Sequence, residues 1–430
     1  MIKNRKESYM KKKTIVLFAI FCLLSVIIST SALIFVLHAR TNEKDISVSA
    51  QNSAAESSGS DSSLPNSVSP APEAPSSSAA LADDEAQDSA STPTPPPSSD
   101  IEAEAEVTET PSAPIVLAFA GDVSLDEASD PVAKYDAEGK DILGCFSHEL
   151  LEEMNSADIM MLNNEFAYST RGTKASDKSF TFRADPSRVN ILSEMGVDIV
   201  SLANNHALDY GQDALADTFS TLEDAEIEYV GAGENMDRAK APIYFTIGDK
   251  TIAYVAASRV VFAMDWYATD SQAGMLGTYD PTIFIESIKE AAAHSDYVVA
   301  FVHWGVERNN YPEDYQRTFA EQYIDAGADA VIGSHPHVVQ GYEFYKGKPI
   351  AYSLGNYWFN DSTRDSAFLK LYLEPEGDVK IQLLPATNAD TVTFLFNESE
   401  DKEKYYDFIR KISFGVDVDK DGYLTEAVSE

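Results

Sequence analysis

Five stretches of the chain share one pattern, in which a largely apolar run ends in residues that can bind a cation. These stretches cover residues 114–122, 157–165, 197–206, 297–303 and 331–337. Runs with almost no charge are typical of strands buried on both faces, as in a parallel sheet. Open α/β sheets bind ligands at the C-terminal ends of such strands. The pattern therefore predicts that polar side chains from five strands meet at one edge of a sheet.

The residue types at these strand ends suit a transition metal. The candidates are Asp122, Asn163, Glu165, Asn205, His206, Asp209, His303, His335 and His337. Nitrogen and oxygen ligands without a thiolate favour Mn, Fe or Zn over Ca or Mg. We predict one or two divalent ions, for which the ligands are Asp122, Glu165, Asn205, His303, His335 and His337. Asp122 is the residue that could bridge two ions, as carboxylates do in two-metal hydrolases.

His335 and His337 are a concentrated use of a scarce residue, because the chain has only seven histidines. Pro336 between them has no backbone N–H, so we expect a loop just beyond the strand end. Two imidazoles held this close suit a metal better than a hydrophobic core. The alternative is that one histidine caps the loop while the other is exposed.

His206 and Asp209 are predicted to form a catalytic pair. His206 would protonate a leaving group, and Asp209 would orient its ring. A metal pair would polarise a phosphoryl or acyl oxygen and generate hydroxide near neutral pH. Alternatives stay open for each residue: Asn205 and Asp209 could be plain turn residues, His206 a satisfied polar residue, and Glu165 half of a salt bridge. Ser334 could serve as a nucleophile, although no nucleophile-elbow pattern surrounds it.

The segments between the runs predict an α/β architecture. Residues 185–195, 281–294 and 316–326 have the caps and apolar spacing of helices, and strands alternating with helices indicate an α/β fold. After Gly341 the strand candidates are shorter and separated by turns, at residues 343–345, 349–354, 367–373 and 379–384. These late strands predict a second, more antiparallel sheet within the same domain.

The N-terminal segment predicts a membrane anchor. Residues 1–13 are basic, and residues 14–37 form an uncharged run about long enough to cross a bilayer as one helix. The positive-inside rule then predicts a single-pass protein of the cell membrane with a cytoplasmic N-terminus and an extracellular C-terminal domain. A cleaved signal peptide is the competing interpretation, but its apolar core would be shorter and followed by a small-residue cleavage site.

Residues 38–112 predict a disordered linker, because Ser, Ala, Pro, Asp and Glu cannot bury enough apolar surface to offset the entropy of ordering. The whole chain has a formal net charge of −38, of which residues 113–430 carry −31. So acidic a domain repels phosphate backbones, and this excludes nucleic acid as a partner. The two cysteines, Cys22 and Cys145, cannot form a disulfide framework.

Six motifs, in order along residues 114–385, resemble the capsule biosynthesis protein CapA family. They are Phe119-Ala-Gly-Asp122, Asn163-Asn-Glu165, Leu202-Ala-Asn-Asn-His-Ala-Leu-Asp-Tyr-Gly211, Val302-His-Trp-Gly305, Gly333-Ser-His-Pro-His337 and Tyr352-Ser-Leu-Gly-Asn356. That family is linked to poly-γ-glutamate synthesis and is related to calcineurin-like metallophosphoesterases. The resemblance implies a metallophosphoesterase-like β-sandwich flanked by helices, with a metal centre at one edge.

One motif departs from the wider superfamily. The resemblance implies Asp-x-His at the first motif, whereas this chain has Asp122-Val-Ser124. The missing histidine affects one metal position, which Glu165 could fill. The superfamily's Asn-His pair is similar to Asn205-His206.

The resemblance places a CapA-like metallophosphoesterase-type domain at residues 113–390, with residues 391–430 as its C-terminal extension. We expect this extension to hold a short helix around residues 405–412 and a terminal strand pair. Residues 417–422 imitate the start of a calcium loop. Because the twelfth position is Val428 where a Glu is required, we predict an Asp-Gly hairpin turn instead.

Together these observations predict a membrane-anchored extracellular protein of capsule or poly-γ-glutamate biosynthesis, acting as a metal-dependent hydrolase or transferase. Its expected partners are an anionic cell-envelope polymer or the machinery that synthesises and exports it. The alternative is a non-catalytic component that binds polymer or partner proteins in a capsule export or anchoring complex.

Overall fold

Two β-sheets stack face to face, and helices cover the outer face of each sheet. The computed structural model describes residues 113–359 and 363–427. The predicted basic tail, membrane helix and linker, which occupy residues 1–112, lie outside the described residues. Within the two described ranges, no helix is both long and apolar enough to span a bilayer.

The strands, in chain order, are β1 (Ile115–Val123), β2 (Ile159–Asn164), β3 (Ala167–Tyr168), β4 (Arg183–Ala184), β5 (Ile199–Ser201), β6 (Glu228–Val230), β7 (Ala232–Gly233), β8 (Ile243–Ile247), β9 (Lys250–Ser258), β10 (Gly274–Met275), β11 (Tyr297–His303), β12 (Ala330–Ser334), β13 (Tyr342–Tyr345), β14 (Lys348–Ala351), β15 (Asn356–Trp358), β16 (Arg364–Leu373), β17 (Val379–Ala389), β18 (Val392–Leu395), β19 (Val416–Val418) and β20 (Tyr423–Glu426). The α-helices are α1 (Asp130–Ala137), α2 (His148–Asn155), α3 (Val189–Glu194), α4 (Gln212–Asp224), α5 (Met236–Lys240), α6 (Thr282–Ala293), α7 (Asp314–Ala326) and α8 (Ser399–Ile412).

The first sheet has the strand order β19-β20-β17-β16-β1-β2-β5-β6, with β15 paired to β1 and β18 paired to β17. Strands β1, β2, β5 and β6 run parallel, whereas β16 is antiparallel to β1. The second sheet has the order β13-β14-β12-β11-β9-β8, and β9, β11, β12 and β14 run parallel. The C-terminal ends of β1, β2 and β5 and those of β11 and β12 deliver the site residues described below.

The core between the sheets is built from side chains that alternate along the central strands. Phe119 and Met161 of the first sheet belong to one apolar cluster with Tyr254, Phe301 and Ile332 of the second. The opposite faces of the same strands pack on helices, α1 to α4 on the first sheet and α5 to α7 on the second. Because both faces are covered, the central strands read as continuous apolar runs.

The five predicted strand ends and the three predicted helices are confirmed. The prediction of a separate antiparallel sheet after Gly341 is wrong. Strand β14 pairs in parallel with β12, whereas β16 pairs antiparallel with β1, so the late strands extend both sheets. Turn residues specify the hairpins β13–β14 and β16–β17, but the sheet that each hairpin joins depends on contacts distant in sequence.

The C-terminal residues pack into the same core. Helix α8 is longer than the expected residues 405–412, and its Tyr405 and Ile409 belong to the cluster between the sheets. Strands β19 and β20 form an antiparallel hairpin whose turn ends at Gly422, where φ is 86°. This confirms the predicted hairpin turn at residues 417–422.

Candidate metal centre

The structure brings all eight predicted site residues to one edge of the sandwich. They are Asp122, Glu165, Asn205, His206, Asp209, His303, His335 and His337. Asp122 lies on β1 and Glu165 directly follows β2, both in the first sheet, whereas His303 ends β11 and His335 directly follows β12 in the second. The cluster is therefore assembled from both sheets. The strand-end pattern correctly predicts that these residues meet, but it places them at the edge of one sheet.

Glu165, His303 and His335 form a buried triad whose potential ligand atoms all lie within 4.8 Å of one another. The Oε1 atom of Glu165 is 3.8 Å from Nε2 of His303. Two buried atoms of this triad, Glu165 Oε1 and His335 Nδ1, have no hydrogen-bond partner in the described part of the chain. Buried polar atoms are nearly always paired, so two unpaired atoms within one triad are consistent with a bound cation.

Asp122, Glu165 and His337 form a second triad, whose potential ligand atoms also lie within 4.8 Å of one another. His337 contributes Nδ1 at 3.4 Å from Asp122 Oδ2 and Nε2 at 3.8 Å from Glu165 Oε1. Glu165 thus belongs to both triads and holds the shared position that the sequence favoured for Asp122. The set fits two ions with a common carboxylate, and the Mn, Fe or Zn assignment stays a prediction.

The loop after β12 sends its two histidines into different triads. His335 and His337 both have left-handed backbones, with φ of 100° and 56°. Left-handed backbone is unfavourable for residues other than glycine and, when present, clusters at functional sites. The loop prediction is confirmed, and the unusual backbone explains why two residues that are so close in sequence serve separate triads.

Burial and neighbouring charge set the protonation of the cluster. Burial lowers the pKa of His335 to about 3 and holds the pKa of His303 well below its ordinary value. Both rings are therefore neutral, the form that binds metal. Burial, reinforced by the Asp122 carboxylate, raises the pKa of Glu165 well above its usual range. Burial opposes charge on His337, but Glu165 and then Asp122 outweigh it and raise the pKa of His337 to about 10.

Amide side chains hold the ligands in place. Asn163 donates from Nδ2 to Asp122 Oδ1 at 2.8 Å and to Glu165 Oε2 at 3.2 Å, while its own oxygen accepts from Asn204. Asn205 Oδ1 lies 2.7 Å from Nε2 of His303. The amide groups therefore link the ends of four strands, β1, β2, β5 and β11, into one network.

The predicted pair His206 and Asp209 is in contact, with Nδ1 of His206 at 2.7 Å from Oδ2 of Asp209. Lys178 contacts the Asp209 carboxylate and the Asn205 carbonyl, and its Nζ is 3.1 Å from His206 Nδ1. The ring of His206 stacks on Phe182 with centroids 4.3 Å apart. Burial lowers the pKa of both His206 and Lys178. Asp209 and Lys178 thus hold the His206 imidazole at Nδ1, and Phe182 packs on one face of its ring.

Two residues near the cluster escaped the sequence prediction. Lys178 lies in the loop between β3 and β4, where no periodic pattern marks it. Asn356, whose Oδ1 is 2.7 Å from His337 Nδ1, did have a signal, because it ends the Ser-Leu-Gly-Asn motif. Gly355 of that motif also accounts for the glycine at position 121. A Cβ on Gly121 would lie 1.8 Å from the Gly355 carbonyl oxygen, so only glycine lets β1 approach this loop.

Two serines settle questions raised by the sequence. Ser334 is fully buried, and its Oγ is 3.0 Å from Nδ1 of His303, so it orients a ring and is not presented as a nucleophile. Ser124, at the position where the resemblance implies a histidine, is also buried, and its hydroxyl has no partner in the described ranges. Glu165, the residue shared by both triads, lies beside this position, because its backbone N–H donates to the carbonyl of Val123 at 2.9 Å.

The family model of the bacterial capsule synthesis protein PGA_cap matches residues 116–361. The chain belongs to this family. The match includes every strand end that contributes to the two triads, and the predicted membership of the CapA-related family is confirmed.

Two curated relatives are named for PGA or capsule biosynthesis. The chain is 38% identical over 216 residues to "PGA biosynthesis protein CapA" of Bacillus subtilis, covering 49% of this chain and 56% of that protein. It is 32% identical over 237 residues to "Capsule biosynthesis protein CapA" of Bacillus anthracis, covering 54% and 57%. The match thus spans little more than half the length of these relatives.

Among solved structures, a novel phosphatase from Mycoplasma pneumoniae matches 70% of this chain and 100% of its own, with 12% identity and a TM-score of 0.41.

Proposed function

We propose that the protein acts in capsule or poly-γ-glutamate biosynthesis as a metal-dependent hydrolase or transferase on an anionic cell-envelope polymer. The biological setting is supported by membership of the capsule synthesis family and by relatives named for poly-γ-glutamate or capsule biosynthesis. One structural observation carries the catalytic part: two histidine–carboxylate triads, one of them fully buried, share Glu165, whose Oε1 has no hydrogen-bond partner in the described residues.

The ligand set defines what bound ions would contribute. The first triad would hold one ion through Glu165, His303 and His335, and Asp122 with His337 would complete a second position. Divalent ions at such positions polarise a phosphoryl or acyl oxygen and lower the pKa of bound water. The neutral imidazoles of His303 and His335, together with the Glu165 oxygen that lacks a hydrogen-bond partner, would be the protein's contribution to that chemistry.

His206 is placed to exchange a proton with the reacting groups. Its Nδ1 is engaged by Asp209, so Nε2 is the free ring nitrogen, and Nε2 lies 3.9 Å from Glu165 Oε1. Asp209 and Lys178 act as positioning residues, because they touch His206 and not the triads. The proton-transfer role thus follows from which ring nitrogen faces the cluster.

The membrane-anchored, extracellular location is part of the proposal and is supported by the sequence alone. The uncharged run of residues 14–37, preceded by basic residues, carries it. Deletion of residues 1–37 should move the protein from the membrane pellet to the supernatant after alkaline extraction of cells. Recovery of the full-length wild-type chain in the supernatant would contradict anchoring.

The test of the metal centre compares full-length wild-type protein with His335→Ala/His337→Ala and with His294→Ala. His294 is exposed on the C-terminal end of α6 and controls for histidine loss. We expect the double variant to lose bound metal in elemental analysis and to abolish polymer production in cells, whereas His294→Ala retains both. Unchanged metal content and polymer yield in the double variant would contradict the proposal that the protein is a metal-dependent enzyme.

The second candidate, a non-catalytic polymer- or partner-binding component, is favoured by one residue. Ser124 replaces the histidine that the resemblance implies, so one metal position has a reduced ligand set. A wild-type protein that supports normal polymer production while holding no metal would favour this binding role.

A further inference from the structure

A cavity of about 200 Å³ opens beside the metal-centre residues His206 and His337. Three phenylalanines line it, and one of them, Phe180, is 71% exposed to solvent. Arg308 and Arg364 line the same cavity. A space that combines apolar walls and cationic side chains at the mouth of a buried site is suited to a substrate with both characters.

The two arginines differ from all others in the described ranges. Seven arginine side chains there have hydrogen-bond or ion-pair partners: Arg171, Arg183, Arg188, Arg238, Arg259, Arg317 and Arg410. The guanidinium groups of Arg308 and Arg364 have no such partner among the residues that the structure describes. Residues 113–430 have a net charge of −31, so acidic side chains are abundant, yet these two arginines form no ion pair with any of them in the described structure.

The backbone of Arg308 points to function as well. Its φ is 63°, a left-handed conformation that asparagine or glycine adopts at lower cost. Its N–H donates to the carbonyl of Pro336 at 2.7 Å, which ties this turn to the loop carrying His335 and His337. The unfavourable backbone of Arg308 and its hydrogen bond to the metal-ligand loop make its side chain a candidate for substrate binding.

We propose that Arg308 and Arg364 bind carboxylate groups of the substrate and so select an anionic chain whose carboxylates are separated by apolar segments. This inference rests on the proposed function, because it concerns the substrate of the same site. The planar guanidinium matches a carboxylate with two parallel hydrogen bonds. The phenylalanine walls would contact the apolar stretches between the charges, whereas a densely phosphorylated chain offers them nothing to bury.

Glu307 also lines the cavity and is exposed, and it forms no ion pair with either arginine in the described structure. Its charge repels the proposed ligand. It therefore gives the test a variant of opposite sign: Glu307→Gln should bind an anionic chain at least as tightly as wild type.

The experiment measures binding of a fluorescently labelled trimer of γ-linked glutamate to the full-length protein. Arg308→Gln and Arg364→Gln should each weaken binding about tenfold, since each removes a charge-assisted, two-point contact. Lys289→Gln is the matched control, because it removes one positive charge from an exposed residue of α6 that lies outside the cavity. Binding unchanged in both arginine variants, or equally weakened in Lys289→Gln, would overturn the proposal.

Arg308→Asn separates recognition from folding. Asparagine accepts the left-handed backbone more readily, so this variant should melt at the wild-type temperature or above while losing trimer binding. A variant that melts normally and binds normally would also overturn the assignment.

A competition arm identifies the anion, and a metal assay keeps the two proposals apart. Inorganic phosphate should displace the trimer poorly, and arginine-dependent binding that prefers phosphate would overturn the carboxylate assignment. Metal content is measured on the same samples. Arginine-dependent trimer binding by a protein without metal would support the recognition role and sink the proposed enzyme, whereas metal without arginine-dependent binding would do the reverse.

Discussion

Four parallel strands, β2, β5, β11 and β12, have polar residues at both ends, and these residues have different contacts at the two ends. An aspartate directly precedes each of β2, β5, β11 and β12: Asp158, Asp198, Asp296 and Asp329. Each one accepts a hydrogen bond from a backbone N–H of the neighbouring strand and donates its own N–H to the carbonyl of that same residue. At the opposite ends, Glu165 and His335 leave buried polar atoms without partners in the described chain.

The difference between the two ends shows what separates a structural polar residue from a functional one. Each aspartate at a strand start exchanges two hydrogen bonds with one residue of the adjacent strand, so its role there is structural. At the strand finishes, His335 and His337 have left-handed backbones, and Glu165 Oε1 and His335 Nδ1 have no hydrogen-bond partner in the described residues. At the two ends of these strands, polar residues are thus distinguished by whether their hydrogen bonds are satisfied.

Loss of the shared carboxylate should have the largest effect. Glu165→Gln removes a member of both triads, and we expect metal affinity to fall by more than about 100-fold, because even outer-shell partners of a metal are worth about 10- to 100-fold. The metal-free variant should melt no lower than metal-free wild type, since an amide avoids the cost of burying a charge. Calorimetric titration and thermal melts measure both.

The matched control for that change is Asp296→Asn at the opposite sheet edge. It should retain wild-type metal affinity. If Glu165→Gln also bound metal normally, the assignment of Glu165 as the shared ligand would be wrong.

Removal of a strand-start clamp should have an intermediate effect on stability and none on metal. Asp198→Ala leaves the N–H of Met160, which now donates to Asp198 Oδ2 at 2.8 Å, without its acceptor. We expect the free energy of unfolding to fall by about 1–2 kcal/mol. Urea denaturation checks the stability, and elemental analysis checks the metal. Loss of metal in this variant would contradict the claim that the strand-start aspartates are purely structural.

The smallest expected effect is a pH dependence at the same clamp. Burial raises the pKa of Asp198 above its ordinary 3.8. The native state therefore binds a proton more readily than the unfolded state, and this group's contribution to stability declines as pH rises from 3.8 through the raised value. Asp198→Asn preserves the acceptor but does not titrate.

The stability advantage of Asp198→Asn over wild type should thus be smallest below pH 3.8 and largest above the raised pKa. Denaturant unfolding of both proteins across a pH series measures this. An advantage that grew toward acid pH would show that the carboxylate is stabilised in its charged form.

Much of the site was predictable from the sequence because its residues terminate strands that their own apolar runs define. Asp122 and His303 are recognisable in this way, and so is the loop position of His335. Glu165 was found as a ligand, but its shared role follows from its central position between the triads, which spacing does not encode. Lys178 comes from a loop without periodicity, and only the folded chain brings it to His206.

The fold was predictable to the same limit. Local signals define β13–β14 and β16–β17 as hairpins, but they do not specify which sheet each hairpin joins. The pairing of Asn356 with Asp122 is parallel and joins residues that are far apart in the sequence. Register of this kind is set by packing against distant strands rather than by the residues of the short strand itself.

The origin of the ligands in both sheets has a mechanical consequence. Asp122 and Glu165 belong to one sheet, and His303 and His335 to the other, so the distance between the layers is also the width of the site. The aromatic ring of Tyr254 and its neighbours in the core hold that distance from within. Anything that binds across the triads fastens the two layers together, and a sliding of one layer past the other misaligns the ligands before any strand unpairs.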